Sequence, residues 1–152
     1  MNAILEDIKY LIVHHTSQSY DFPEFIRFRH KIIRGWDDIG YHYVIGNGRL
    51  FTKDGKIYQG HPENMEGAHS LGYNLNSLGI CMVGDFDRDH PTEQQLHSLV
   101  DLLYEKSVQY EISLGNILGH NEIPNVTKSC PGKNVNMNEI RELVSLRLER
   151  VV

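Results

Sequence analysis

Several things are scarce or missing in this chain, and each absence narrows what it can be. Only two cysteines, Cys81 and Cys130, occur in 152 residues. A chain of this size does not need a disulfide to fold, and no disulfide framework is expected. No stretch is long and apolar enough to cross a bilayer. The opening MNAILEDIKYLIVHHT is too short in its apolar part, too interrupted by charge and too abruptly ended by His14 and His15 to serve as a secretory signal. Synthesis in the cytoplasm is the expectation, with any action on a cell wall following permeabilisation of the membrane. The formal net charge is −5, with both signs spread along the sequence. Nothing in it resembles a nucleic-acid footprint, and neither nucleic acid nor a membrane is an expected partner. There is no internal repeat and no low-complexity segment. The chain reads as a single domain over residues 1–152, monomeric, large enough to bury about two-thirds of its unfolded surface.

What is present is a chemistry-bearing loop, Gly119 to Gly132, GHNEIPNVTKSCPG. Turn formers dominate it, and such a stretch does not build a core. Its His120, Lys128 and Cys130 therefore read as functional groups. His120 and Cys130 are metal-ligand types, and His14, at the end of the apolar run Tyr10-Leu11-Ile12-Val13, is the candidate third ligand. Two imidazoles and one thiolate would hold zinc with a fourth position open, as catalytic sites do. Cys81, inside LGICMVG, reads as a small core residue.

In chain order, Tyr10 to Val13 predicts a strand buried on both faces, with His14-His15-Thr16 at its carboxyl end. Pro23 opens a helix whose apolar face is Phe25, Ile26, Phe28, Ile32 and Ile33, closed by Gly35. Phe22, Phe25 and Phe28 are expected in the core rather than as a sugar platform. Tyr41 to Ile45 predicts a strand with Tyr41, Tyr43 and Ile45 on one side and His42 and Val44 on the other. Arg49 to Thr52, a turn at Asp54-Gly55, and Lys56 to Gln59 read as an antiparallel hairpin. A long loop runs from Gly60 to Asn76, then a strand from Leu78 to Val83. Thr92 and Gln95 form a capping box for a helix reaching about Tyr110. Residues 116–119 form a brief strand. Asn136 and Glu139 cap a last helix whose stripe is Ile140, Leu143, Val144 and Leu148. The fold class is α/β: a mixed central sheet, helices on both faces, and an inserted antiparallel hairpin.

Taken together, HHT after a strand, GYHYVI, GAHSLGYNLNSLGICMVG and GHNEIPNVTKSCPG occur in one order and spacing. In this the chain resembles the zinc-dependent N-acetylmuramoyl-L-alanine amidases, the group shared by phage lysozyme-type amidases and peptidoglycan recognition proteins, from about Tyr10 to Leu148. The resemblance implies hydrolysis of the amide between N-acetylmuramic acid and L-alanine, with peptidoglycan or a muropeptide as partner. It implies His14, His120 and Cys130 as zinc ligands, and Tyr41 and Lys128 as catalytic residues. An insertion around Asn47 to Phe51 departs from the phage enzymes and bears on the groove edge.

The other histidines divide by context. His69, in a loop facing the site, is expected in the groove, and Asn74 either bonds the substrate or forms a turn. His15 is read as supporting the ligand loop, His42 as core, His61, His90 and His97 as surface, and His30 is given no role. A phage or prophage endolysin is the leading biological expectation. The alternatives are a cytosolic muropeptide-recycling amidase, a non-catalytic peptidoglycan-binding module, and a thiol hydrolase using Cys130 with His120.

Overall fold

The computed structural model describes residue 5 and residues 7–150. Five strands form one sheet in the order β3-β2-β4-β1-β5. They are β1 (Tyr10–His15), β2 (Tyr43–Ile45), β3 (Ile57–Gln59), β4 (Ser77–Met82) and β5 (Ile117–Gly119). β1 lies parallel between β4 and β5, β2 runs parallel to β4, and only β3 is antiparallel. The helices are α1 (Pro23–Phe28), α2 (Glu93–Gln109) and α3 (Met137–Glu149).

Alternation along the strands sends two kinds of residue to two sides. Leu11, Val13, Leu78, Ile80, Met82, Ile45 and Ile117 join a large buried cluster with residues of α2 and α3. The opposite side holds a small one, where Ile26 of α1 meets Ile39, Val44 and Val83. Helices thus cover both faces, as the pattern predicts. Both predicted caps form. Thr92 Oγ1 accepts from the Gln95 N–H at 3.0 Å while Gln95 Oε1 accepts from the Thr92 N–H, and Asn136 Oδ1 accepts from the Glu139 N–H at 3.1 Å.

The long loop after β3 is held from inside. Glu63 accepts hydrogen bonds from the hydroxyls of Tyr43 and Tyr110 and lies 2.8 Å from Lys106 Nζ of α2. Burial raises both tyrosine pKa values, and the adjacent carboxylate raises them further, so the phenols stay protonated as donors.

Four sequence expectations need correction. Arg49 to Thr52 is not a strand: it is a turn in which Leu50 and Phe51 take positive φ of 30° and 59°, a conformation a ladder cannot use. Tyr41 does not side with Tyr43 and Ile45. The strand starts only at Tyr43, and Tyr41 packs on the opposite side with Val44. The helix begun at Pro23 widens into a π-turn over Arg29–Ile33, and of its expected apolar face only Ile26 is buried; Phe25, Phe28, Ile32 and Ile33 are exposed. Phe22 is half-buried and stacks on Phe25 at the surface, so the aromatic stripe is not core. Finally, His61 is buried, its Nδ1 3.2 Å from the Ile39 carbonyl.

Candidate active site

The carboxyl ends of β1 and β5 bring the three predicted ligands together, the usual location for a site on a parallel sheet. His14 is the fifth residue of β1, in register with Cys81, and His120 follows β5 directly. One ligand atom each from His14, His120 and Cys130 lies within 4.8 Å of the others. Cys130 Sγ is 3.6 Å from His14 Nδ1. A tetrahedral ion with ordinary zinc–nitrogen and zinc–sulfur bonds separates two such atoms by about 3.5 Å, so this donor set fits a metal.

The hydrogen bonds around His14 fix which nitrogen faces the other ligands. Ser77 Oγ donates to the Tyr73 carbonyl at 2.6 Å, so toward His69 Nε2, 3.2 Å away, it can only accept. His69 then carries its proton on Nε2 and presents Nδ1 as an acceptor. His14 Nε2 lies 3.0 Å from that Nδ1 and must donate. The lone pair of His14 is left on Nδ1, the atom beside Cys130. Gly79 makes this possible: a Cβ there would sit 2.5 Å from the His69 ring. His69 is thus behind the ligand, not in the groove as expected. Asn74 takes the turn-forming option, its Oδ1 accepting from the N–H groups of His69 and Ser70 at 2.9 Å each.

The ligand loop is anchored at both ends. The Asn121 N–H donates to the Cys130 carbonyl at 2.7 Å. Asp87 accepts from Ser129 Oγ at 2.6 Å and from the Lys133 N–H at 2.9 Å. Glu122 accepts from the Gly119 N–H and pairs bidentately with Arg141 of α3 at 2.8 and 3.0 Å, bracing the turn that carries His120. His15 supports the same loop, its backbone N–H pointing at Cys130 Sγ from 3.5 Å. Its Nδ1 accepts from the Phe86 N–H. Asp87 and Arg141 carry no sequence signal for these roles, because each acts through a partner far along the chain.

Burial keeps the site's imidazoles neutral, which is what metal ligation requires. It depresses His14, with His69 and His120 adding to the effect, and it depresses His120, where the Lys128 charge adds. Burial pushes the Cys130 thiol up to about 11, against the pull of the His15 N–H and Lys128. That is the wrong direction for a thiolate nucleophile, and a bound cation reverses it. Lys128 itself is exposed at the rim. Tyr41 lies with its ring 5.3 Å from that of His14; burial first, then Cys81 and Cys130, raise its pKa well above the usual phenol value. His30, given no role from sequence, accepts from the Gly40 N–H at 2.8 Å and sits 5.7 Å from Tyr41, fixing the chain where that tyrosine departs. Burial holds His30 at about 4, hence neutral.

A parallel-sheet site with two imidazoles, a thiol, a phenol and an ammonium at one mouth suits a hydrolase, with a donor set that could hold a metal ion. The chain belongs to the N-acetylmuramoyl-L-alanine amidase family, whose model matches residues 5–133. It is 32% identical over 143 residues to peptidoglycan-recognition protein SC2 of Drosophila melanogaster, covering 88% of this chain and 73% of that one. It is 33% identical over 136 residues to the N-acetylmuramoyl-L-alanine amidase of Mus musculus, covering 81% of this chain and 24% of that one. Among solved structures it is similar to the N-acetylmuramoyl-L-alanine amidase LysC from Clostridium intestinale (TM-score 0.85, 32% identity, 95% and 90% of the two chains). It is also similar to Drosophila PGRP-LB (TM-score 0.74, 29% identity, 92% and 84%).

Proposed function

We propose that this amidase uses zinc, held by His14, His120 and Cys130, to hydrolyse the amide between the lactyl group of N-acetylmuramic acid and the L-alanine of the stem peptide. The observation that carries the reading is the convergence of those three ligand atoms at spacings that suit a tetrahedral ion. Held there, zinc would supply a Lewis acid and would lower the pKa of a nucleophilic water toward about 7. The protein's own groups do the rest. Lys128 is close enough for its charge to act on both His120 and Cys130, and so can meet the negative charge that develops on the amide oxygen. Tyr41 stays a neutral phenol and holds a proton at its hydroxyl beside the ligands, ready to hydrogen-bond the reacting groups or pass that proton on. A mutant of Drosophila PGRP-LB, similar in structure to this chain, was solved in complex with tracheal cytotoxin, which supports a muropeptide as substrate.

The test is release of peptides with a free L-alanine amino terminus from peptidoglycan, followed by mass spectrometry, alongside zinc content. Cleavage should stop with chelator and return with zinc. In Cys130→Ser both bound zinc and cleavage should be lost together. Zinc retained while cleavage disappears would favour a thiol nucleophile instead. Binding to peptidoglycan with no chelator-sensitive cleavage would leave the recognition reading, which the relatives named for recognition favour. The endolysin role rests on likeness to a structure titled as an endolysin amidase from Clostridium intestinale. It requires cleavage of intact sacculi, and cleavage of soluble fragments alone would point to recycling.

A further inference from the structure

We propose that the outer face of α1, with the turn carrying Phe51, is a docking surface for an anionic lipid bilayer. The face is apolar where solvent should be. Phe25, Phe28 and Ile32, at three- and four-residue spacings along one helical path, and Ile33 beside them range from 42% to 71% exposed, and Phe51 is 81% exposed. A helix apolar on both sides normally has something on both sides; here Ile26 packs with Val44 and Val83, while Phe28, Ile32 and Ile33 on the other side stay exposed.

The two segments form one surface. Phe51 packs edge-on against Phe22 with ring centroids 5.1 Å apart, and Phe22, Phe25 and Phe28 continue the row at 5.8 and 6.4 Å. Asn47 Nδ2 donates to the Ser19 carbonyl at 2.9 Å, and Arg49 lies over the Tyr20 ring at 5.3 Å.

Charge selects the occupant. Residues 20–34 and 47–53 hold six Lys and Arg and only two acids, in a chain whose formal net charge is −5. Arg29 is taken by buried Asp21 and Arg27 by Asp38. Lys31, Arg34, Arg49 and Lys53 are exposed and form no ion pair among the described residues. Apolar side chains ringed by cations suit an anionic membrane surface, where the two contributions add. A second copy of the chain would set two positive faces against each other. A glycan strand would gain nothing from Ile32 and Ile33, and the Arg29 guanidinium, 4.9 Å over the Phe25 ring, covers a face that a sugar would need. Association would be superficial, since no helix among the described residues is long and apolar enough to cross a membrane. It runs against two separate sequence expectations, that no membrane is a partner and that Phe22, Phe25 and Phe28 lie in the core.

The experiment is co-sedimentation of the intact chain with vesicles of phosphatidylglycerol and phosphatidylcholine, and with phosphatidylcholine alone. Binding to the anionic vesicles is expected, weaker by roughly tenfold or more on the neutral ones and at roughly 0.5 M NaCl, where charges are screened within a few ångströms. The combined Phe28→Ser, Ile32→Ser and Ile33→Ser variant should lose binding by a similar factor at unchanged Tm. Should that variant unfold, Lys31→Glu with Lys53→Glu, both exposed, reverses two charges of the attraction and should have the same effect. No binding of the wild-type chain to anionic vesicles overturns the proposal. So does equal binding by the variants, a dimer in solution that the serine substitutions abolish, or loss of sacculus binding by variants that still bind vesicles.

Discussion

The two sides of the sheet are built from alternate residues of the same strands, and they are built for different ends. One side faces a cluster of seventeen buried apolar residues, seven of them contributed by α2 and α3. The other has four, and in place of further hydrocarbon it stacks His14, His42, His69 and His120 around Gly79 and Cys81. The first side gains its stability from burial, which needs no particular geometry beyond filling space. The second gives up hydrocarbon for polar groups that are satisfied only if each meets a specific partner. Stability and chemistry are therefore separable, and substitutions on the two sides should fail in different ways.

The largest separation is expected from the groups that touch the reaction. Tyr41→Phe and Lys128→Ala should each lower turnover by about 10²- to 10⁴-fold, with zinc content and Tm unchanged. Kinetics on a soluble muropeptide together with metal analysis reads both. An equal loss of bound zinc would mean that these residues hold the site's structure rather than act in the reaction.

The converse comes from the hydrocarbon side. Leu99 of α2 is fully buried in the large cluster. Leu99→Ala should cost about 2–5 kcal/mol of stability, read by denaturant unfolding, while the folded fraction keeps its zinc affinity and turnover. A change in turnover at constant folded fraction would show that the two sides are coupled after all.

How much of this was legible in the sequence follows the same division. His120 and Cys130 stand out because ligand types in a turn-rich loop have no packing role to explain them, and His14, at a strand end where a core histidine would be ordinary, stands out only as the third ligand that completes their set. Thr92 and Asn136 were readable because a cap is a local event between residues three apart. What was not legible depends on distance or on side. The spacing of Phe25, Phe28 and Ile32 marks a stripe but does not say whether the sheet or solvent lies against it. Tyr41 was assigned by extending a strand's alternation two residues beyond where the strand begins. Arg49 to Thr52 has the composition of a strand, and only the positive φ at Leu50 and Phe51 rules it out. His69 was picked out, but its role is set by a partner 55 residues away.

His69 also gives the finest test of the contrast, because it is buried like a core residue yet its ring is held by hydrogen bonds to Ser77 and His14. If it sets the His14 tautomer, His69→Ala should weaken zinc binding by about 10- to 100-fold, the usual cost of removing the partner that orients a ligand. Competition against a chelator measures this without reference to turnover. His69→Gln, which keeps an acceptor for His14 Nε2, should recover part of the loss. Nitrogen chemical shifts of the metal-free chain offer a second readout: His14 should be protonated on Nε2 in the wild type and a mixture of tautomers in the alanine variant. A merely space-filling His69 predicts otherwise. Both variants would then lose stability, His14 would keep its tautomer, and zinc affinity would not distinguish glutamine from alanine.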